Sequence, residues 1–337
     1  MQRLPWVDAV RGICIFLIVL GHSIGFYPLI AGQSVKFECP FWIDVTAAFA
    51  PIRLATFFLI SGYLSRRVMT KSWRQVNSSK LAPLLYVFVV WTCLLVIIFH
   101  TLLIYPQIQP DYTYTAFLHP MNHLWYLWAL ALFVIIAKAT RRLPRSFILV
   151  VAGIISFFSS EISLPSGVTA NFLFFLLGVY STGQLTVIAS KAKYLWIAAL
   201  VVIYGAGAVL GIFGHSSRAV SMIMSLTGVV LLTQIASIWS RTPTLPVRAL
   251  FALGKQTLAI YVMHIPLLVF IAWFTGIVFP LNAMSPLIQI FYPVIATSLV
   301  MILAIGSKYL LDRMRITRFL LELPISARIC LAGRARP

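Results

Sequence analysis

Apolar runs of about 20 residues recur along the chain, each closed by a short polar link. That is the pattern of helices that cross a bilayer, not of amphipathic helices on a soluble core. Ten runs can be drawn: Ala9–Ile30, Ile43–Leu64, Leu81–Tyr105, His123–Ala139, Phe147–Ser163, Ala170–Ala189, Tyr194–Phe213, Ala219–Trp239, Leu253–Phe274 and Leu287–Leu310. The fifth is short, which a bundle of uneven thickness accommodates. The links hold no repeat or low-complexity tract, and Pro106, Pro110 and Pro120 mark Tyr105–Asn122 as an extended or turn-rich outer loop.

The polar links alternate in charge. Arg66, Arg67, Lys71, Arg74 and Lys80 fill one, and Lys138, Arg141, Arg142 and Arg145 the next but one. Lys191 and Lys193 follow, then Arg241, Arg248 and Lys255, whereas the opposite links hold only Lys36 and Arg218. By the positive-inside rule both termini are cytoplasmic, which requires an even number of spans. The expected fold is an all-α integral membrane bundle of about ten transmembrane helices, with residues 1–312 as one transmembrane domain and 313–337 as a basic cytoplasmic tail.

Composition agrees. Hydrophobic residues make up 61% of the 337, charged residues 10%, and mean hydropathy is +0.97, more apolar surface than a soluble chain of this size can bury. The net charge of +19 would suit nucleic acid, but the cations sit in clusters between apolar runs, so membrane topology explains them. Cys14, Cys39, Cys93 and Cys330 show neither metal-ligand nor disulfide spacing. Asp8 and Arg11 interrupt the stretch that a cleavable signal peptide would need, so the first run is expected to remain as a span.

Within the apolar runs a few polar groups stand out. Asp8, Arg11 and His22 lie on one stripe of the first helix, Arg11 about 60° and His22 about 40° around from Asp8. Arg11 and His22 are roughly 16 Å apart along the axis. With the inner boundaries near Gly12, Leu64 and Leu253, His22, Arg53 and His264 all fall about 15–16 Å deep, near the middle of a core about 30 Å thick. An arginine alone in lipid at that depth costs about 3 kcal/mol or more, so a shared internal cavity is the cheaper arrangement. His123 opens the fourth run from the outer side. Other roles are open to each: an intramembrane histidine also serves as an interhelical hydrogen-bond partner, Arg53 can meet a backbone carbonyl or Asp44 (although these two lie on opposite sides of their helix), and Asp8 can pair with Arg11 at the positive end of its helix.

At these residues the chain resembles a known family. Trp6-Val-Asp8, Arg11 and His22, followed by Phe57-Phe-Leu-Ile-Ser61-Gly-Tyr63, is similar to the bacterial membrane-bound acyltransferase 3 family, in which an arginine, ten residues and a histidine form the hallmark. Lys80-Leu-Ala-Pro83, His123-Leu-Trp125-Tyr-Leu127 and the stretch from Leu253 to His264 match in family order. Arg53-Leu-Ala-Thr-Phe-Phe58 is most similar to the branch related to fucose 4-O-acetylases, although Leu54-Ala55-Thr56 departs from the usual pattern there.

The resemblance implies an inner-membrane O-acyltransferase that takes an acyl group, usually acetyl from acetyl-CoA, and places it on a hydroxyl of a surface glycan or lipid-linked sugar precursor. His22 is then the base or a transient acyl carrier, with Arg11, Asp8, Arg53 and His264 beside it. Arg66, Arg67 and Lys80 would hold the CoA phosphates, and Ser61, His123 and Trp125 would meet the acceptor. The expected partners are the bilayer and the glycan, with no nucleic acid and no metal. The chemistry is self-consistent, since acyl transfer to an alcohol needs a base and a cation or donor for the tetrahedral oxyanion. The rival is a transporter or flippase for a glycan precursor or other anionic substrate, with His22 and Arg53 along its pathway. Such proteins often carry inverted repeats with broken helices, and no paired Gly/Pro-interrupted segments are apparent in the two halves.

Overall fold

The computed structural model describes residues 4–30, 39–101, 123–162, 166–191, 194–215, 217–242, 244–278, 286–324 and 331. Twelve helices organise them: α1 (Pro5–Ile30), α2 (Pro40–Ser65), α3 (Ala82–Thr101), α4 (Trp125–Ala139), α5 (Arg145–Phe157), α6 (Ser166–Tyr180), α7 (Thr182–Ser190), α8 (Tyr194–Ile212), α9 (Arg218–Arg241), α10 (Leu245–Lys255), α11 (Thr257–Val278) and α12 (Pro286–Arg313). No strand occurs among the described residues. The expected outer loop Tyr105–Asn122 lies outside them.

Among the described residues, six stretches are, as continuous helix, long and apolar enough to cross a membrane: Pro5–Gly25, Pro40–Met69, Trp73–Ile98, Tyr194–Ile212, Arg218–Arg241 and Ile290–Arg313. Two more qualify if each bent pair is one crossing, α6 with α7 (84°) and α10 with α11 (87°). Helices α4 and α5, of 15 and 13 residues, are apolar but shorter. The protein is therefore a multi-pass helical membrane protein, with six to eight candidate spans by length and composition among the described residues, where hydropathy drew ten.

Two of those ten runs are not single helices. Ser181 (φ −107°, ψ 34°) and Gln256 (φ −109°, ψ 13°) leave helical geometry and turn the chain sharply. Hydropathy continues through both bends because apolar burial carries no information about direction. Leu253, taken from sequence as the start of the ninth span, belongs instead to α10, and the helix that carries His264 starts at Thr257.

Helix α1 is the hub, packing against α2, α9, α10, α11 and α12. Of its apolar window 61% is buried, whereas 11% of that of α8 is, so α8 packs on α9 and α2 along one side and is otherwise exposed. Close approach is built from small residues. A Cβ on Gly62 of α2 would stand 2.0 Å from the Phe175 carbonyl oxygen of α6, and one on Gly178 would stand 2.0 Å from that of Leu59, so the two backbones touch reciprocally. Pro51 cannot donate to the ladder of α2. Nearby, Tyr204 donates to the Ala48 carbonyl at 2.6 Å and Ser225 to that of Pro51 at 3.2 Å, which keeps backbone oxygens satisfied within the bundle.

The inner link before α3 is ordered locally. Ser72 and Gln75 form a capping box that starts a single turn of helix at Trp73–Val76. A π-turn, Asn77–Leu81, then brings Lys80 round before α3 begins. After α12 the chain folds back along α3: Tyr86 donates to the Phe319 carbonyl at 2.7 Å and the Trp91 indole to that of Leu320 at 2.9 Å. Arg74 reaches the Leu331 carbonyl at 3.2 Å.

Candidate active site

Three histidines from three parts of the chain meet inside the bundle. The rings of His22 (α1) and His264 (α11) are 5.2 Å apart, and those of His123 (the turn before α4) and His264 are also 5.2 Å apart, edge to face. His264 is fully buried. Its Nδ1 lies 2.6 Å from the Tyr261 carbonyl oxygen. A carbonyl only accepts, so Nδ1 carries the proton and, in the neutral ring, Nε2 is an acceptor. Among the described residues neither His264 Nε2 nor His123 Nε2 has a hydrogen-bond partner, although both are buried. No group of three His, Cys, Asp or Glu side chains among the described residues is placed to hold a metal ion.

Arg53 reaches this cluster from α2. Its Nη1 is 3.4 Å from the Leu17 carbonyl oxygen on α1. A Cβ on Gly21 would stand 2.2 Å from Nη1, so the bare backbone next to His22 makes room for the guanidinium. Of the partners open to Arg53 in the sequence, the carbonyl is realised. The ion pairs between described residues join Asp8 to Arg11, Glu161 to Arg218 and Asp312 to Lys308, not Asp44 to Arg53.

Beneath the histidines lies a cavity of about 280 Å³ lined by polar groups from four helices and the π-turn, among them Arg11, Ser61, Lys80, Tyr126, Thr257 and Tyr261. Arg11 is hydrogen-bonded to the Thr257 hydroxyl. Its pairing with Asp8 is looser, at 4.0 Å. Ser61 is bonded to the Tyr126 hydroxyl. Tyr261 donates to the His123 carbonyl, with its ring 5.8 Å from that of His264 and 5.5 Å from that of Tyr126. Both tyrosines line the cavity, and Tyr261 also adjoins His264, so it links the cavity to the histidine cluster.

The structure brings together most of the residues singled out from sequence. His22, His123, His264 and Arg53 converge, and Arg11, Ser61 and Lys80 share the cavity below. Asp8 stays at the helix start beside Arg11. Trp125 lines no part of the cavity and packs on Phe58, at 5.8 Å between rings, and against Gly167. The three cations expected together divide. Lys80 faces Arg11, but Arg66 and Arg67 follow the end of α2 into a 3-10 turn, Arg66–Met69, that carries them into a separate depression of about 830 Å³ with Arg141, Arg142 and Arg145. Sequence reading missed Tyr126, Thr257 and Tyr261. A usable signal existed, since Thr257, Tyr261 and His264 are spaced four and three apart and so form one helical stripe.

These helices, in this order, match the model of an acyltransferase domain over residues 4–306. The chain belongs to the acyltransferase 3 family. Its match runs from α1 into α12 and takes in every residue of the histidine cluster and the cavity. It is also similar to the inner membrane protein YcfT of Escherichia coli (strain K12), 24% identical over 291 residues that cover 78% of this chain and 79% of that protein. No solved structure matches it. For a family member the arrangement has a clear chemical sense: a cation-lined cavity opens below a group of imidazoles, with Arg53 beside the one that the family pattern singles out.

Proposed function

We propose that this protein is an inner-membrane O-acyltransferase that moves an acetyl group from acetyl-CoA to a hydroxyl of a surface glycan or its lipid-linked precursor. The observation that carries the reading is the juxtaposition of the Arg11–Lys80 cavity with the His22–His264–His123 cluster, joined through Tyr261. The similarity to an inner membrane protein supports the location. Both termini lie in the cytoplasm, with α4 and α5 completing ten crossings, and the face that gathers the basic links is the cytoplasmic one.

In this reading the donor enters from that face. Arg11 and Lys80 meet the phosphates or the thioester carbonyl of acetyl-CoA, which needs planar or point cations at the mouth of the cavity. His22 removes the proton of the acceptor hydroxyl as its oxygen attacks the thioester carbonyl, forming the C–O bond. The Arg53 guanidinium stabilises the oxyanion of the tetrahedral intermediate. Its collapse breaks the C–S bond, and the proton held by His22 passes to the departing CoA thiolate. His264, fixed by Tyr261, holds the His22 ring in place; His123 meets the acceptor, and Ser61, which shares the cavity with Arg11 and Lys80, lies nearer the donor.

The test is acetyl transfer in membranes containing the full chain, with labelled acetyl-CoA and glycans read by mass spectrometry. Acetylated glycan that appears with wild type and disappears with His22→Ala supports the reading. Glycan acetylation equal with and without the protein, together with export of unmodified precursor that depends on it, would transfer the case to the flippase reading.

A further inference from the structure

One buried cation takes no direct part in the acyl-transfer site. Lys138 stands in the last turn of α4 and is 1% exposed. Its Nζ donates to the Met69 carbonyl at 3.3 Å and to the Lys71 carbonyl. Both carbonyls belong to the inner link between α2 and α3, and Arg141 lies 3.5 Å from the first of them. The ion pairs between described residues lie elsewhere, so backbone oxygens are what hold this ammonium.

Membrane topology does not explain the burial. The positive-inside rule asks for cations on this face, and an ammonium in water satisfies it as well as a covered one. Lysine is almost never fully buried without partners, because a covered charge is costly unless it is hydrogen-bonded. A compact head with three N–H donors serves two carbonyls at once. These carbonyls lie at the end of the Arg66–Met69 turn and just beyond it, where backbone oxygens lack an onward helical partner and a cation is favoured. Lys138 therefore ties one backbone segment to one helix.

What that segment carries is one wall of the cavity. Past Lys71 come the capping box of Ser72 and Gln75 and the π-turn, Asn77–Leu81, that holds Lys80. The Lys71 ammonium reaches the Ser79 hydroxyl at 3.1 Å, one residue before Lys80. Helix α4 packs against both the 3-10 turn and the π-turn. Contacts thus run from Lys138 through Lys71 and Ser79 to the residue beside Lys80, which lines the cavity although Lys138 does not. We propose that Lys138 is a positioning residue for the acyl donor: it latches the inner link to the end of α4 and so holds Lys80 in the cavity with Arg11. The donor part rests on the acyl-transfer reading, in which Lys80 meets acetyl-CoA; the latch itself does not.

The experiment measures initial rates in membranes containing the full chain, with acetyl-CoA varied. Lys138→Met keeps the stem and removes the donors. The KM for acetyl-CoA should rise about tenfold, the worth of one charge-assisted hydrogen bond, while kcat holds. Lys138→Arg, which can still reach both carbonyls, should restore it. A lysine that only stabilised the fold would lower the amount of active protein and leave KM alone. In a Lys80→Met background Lys138→Met should add nothing further, since residues that act through one another are not additive. Hydrogen exchange on the purified chain reads the latch without turnover: amides of Asn77–Leu81 should exchange faster in Lys138→Met, or in Lys138→Gln if the methionine variant does not fold. An unchanged KM in an active enzyme, full additivity with Lys80→Met, or unchanged exchange overturns the proposal. If the wild type transfers no acetyl group, the acyl-transfer reading falls, and exchange alone decides the latch.

Discussion

The Arg11 guanidinium donates to the hydroxyl of Thr257, which lies on the same stripe of α11 as Tyr261 and His264. The α1 arginine of the family pattern is thereby tied to the helix that supports the α1 histidine of that pattern. The lower contact joins Arg11 to Thr257 and the upper one His22 to His264, so α1 and α11 are registered against each other at two heights.

Arg11→Lys should therefore fail as a conservative change. Lysine keeps the charge but cannot hold Thr257 and present a planar fork to the donor at once. Losing one charge-assisted hydrogen bond costs about 2 kcal/mol, or ~30-fold in donor dependence. Initial rates with acetyl-CoA varied in isolated membranes measure it. An unchanged apparent KM would reduce Arg11 to an interfacial anchor.

His22→Ala should lower acetyl transfer by at least about 10²-fold, the usual worth of a positioned general base. Its folding should persist, because one imidazole makes little of the packing around α1. Glycan acetylation measured beside gel-filtration behaviour separates the two effects. Full activity in a monodisperse His22→Ala protein would be fatal to the assigned role.

Gly21→Ala tests Arg53 without touching it. The new methyl group would occupy the place of Nη1, forcing the guanidinium from its position beside His22. A displacement of about 1 Å at a catalytic centre costs on the order of 10²-fold in rate. Turnover should fall by that order while thermal stability changes little. A normal rate would mean that Arg53 only fills space.

Gly62→Val addresses the fold instead. Its Cβ would enter the Phe175 carbonyl oxygen at 2.0 Å, and backbone cannot swing aside as a side chain can. Overpacking of this kind costs about 3 kcal/mol or more, so the thermal midpoint in detergent should fall clearly. Gly153→Val, at a position with nothing within 4 Å, is the matched control and should leave it unchanged.

For topology, cysteines placed singly in the Arg66–Lys80 link should be protected from a membrane-impermeant reagent in intact cells, and ones in Tyr105–Asn122 should react. Reaction in the Arg66–Lys80 link would invert the map and move the donor side with it.

The class of this protein was legible from the chain alone. Apolar runs of spanning length have few soluble solutions, and each of the ten drawn here is helical over most of its described residues. The stripe of Asp8, Arg11 and His22 follows from helical periodicity, and a common depth for His22 and Arg53 from rise per residue, whereas the depth reckoned for His264 counted from Leu253 across the bend at Gln256. His22 and His264 do meet. What periodicity does not contain is direction between helices. The bends at Ser181 and Gln256 lie inside continuous apolar stretches, and a count of hydrophobic residues is the same for a straight helix and one turned by 87°.

Tertiary structure alone decided the partners. Lys80 and Arg66 stand in adjoining parts of one basic link, yet a π-turn directs the first towards Arg11 and a 3-10 turn carries the second into the five-arginine basin. The contacts of Thr257 with Arg11 and of Tyr261 with His123 span more than a hundred residues of chain. A sequence fixes which faces are apolar and how deep a polar group sits on its own helix. Which groups then touch depends on helix rotation and crossing, set by close approaches such as Gly62 with Gly178, and these exist only once the bundle is packed.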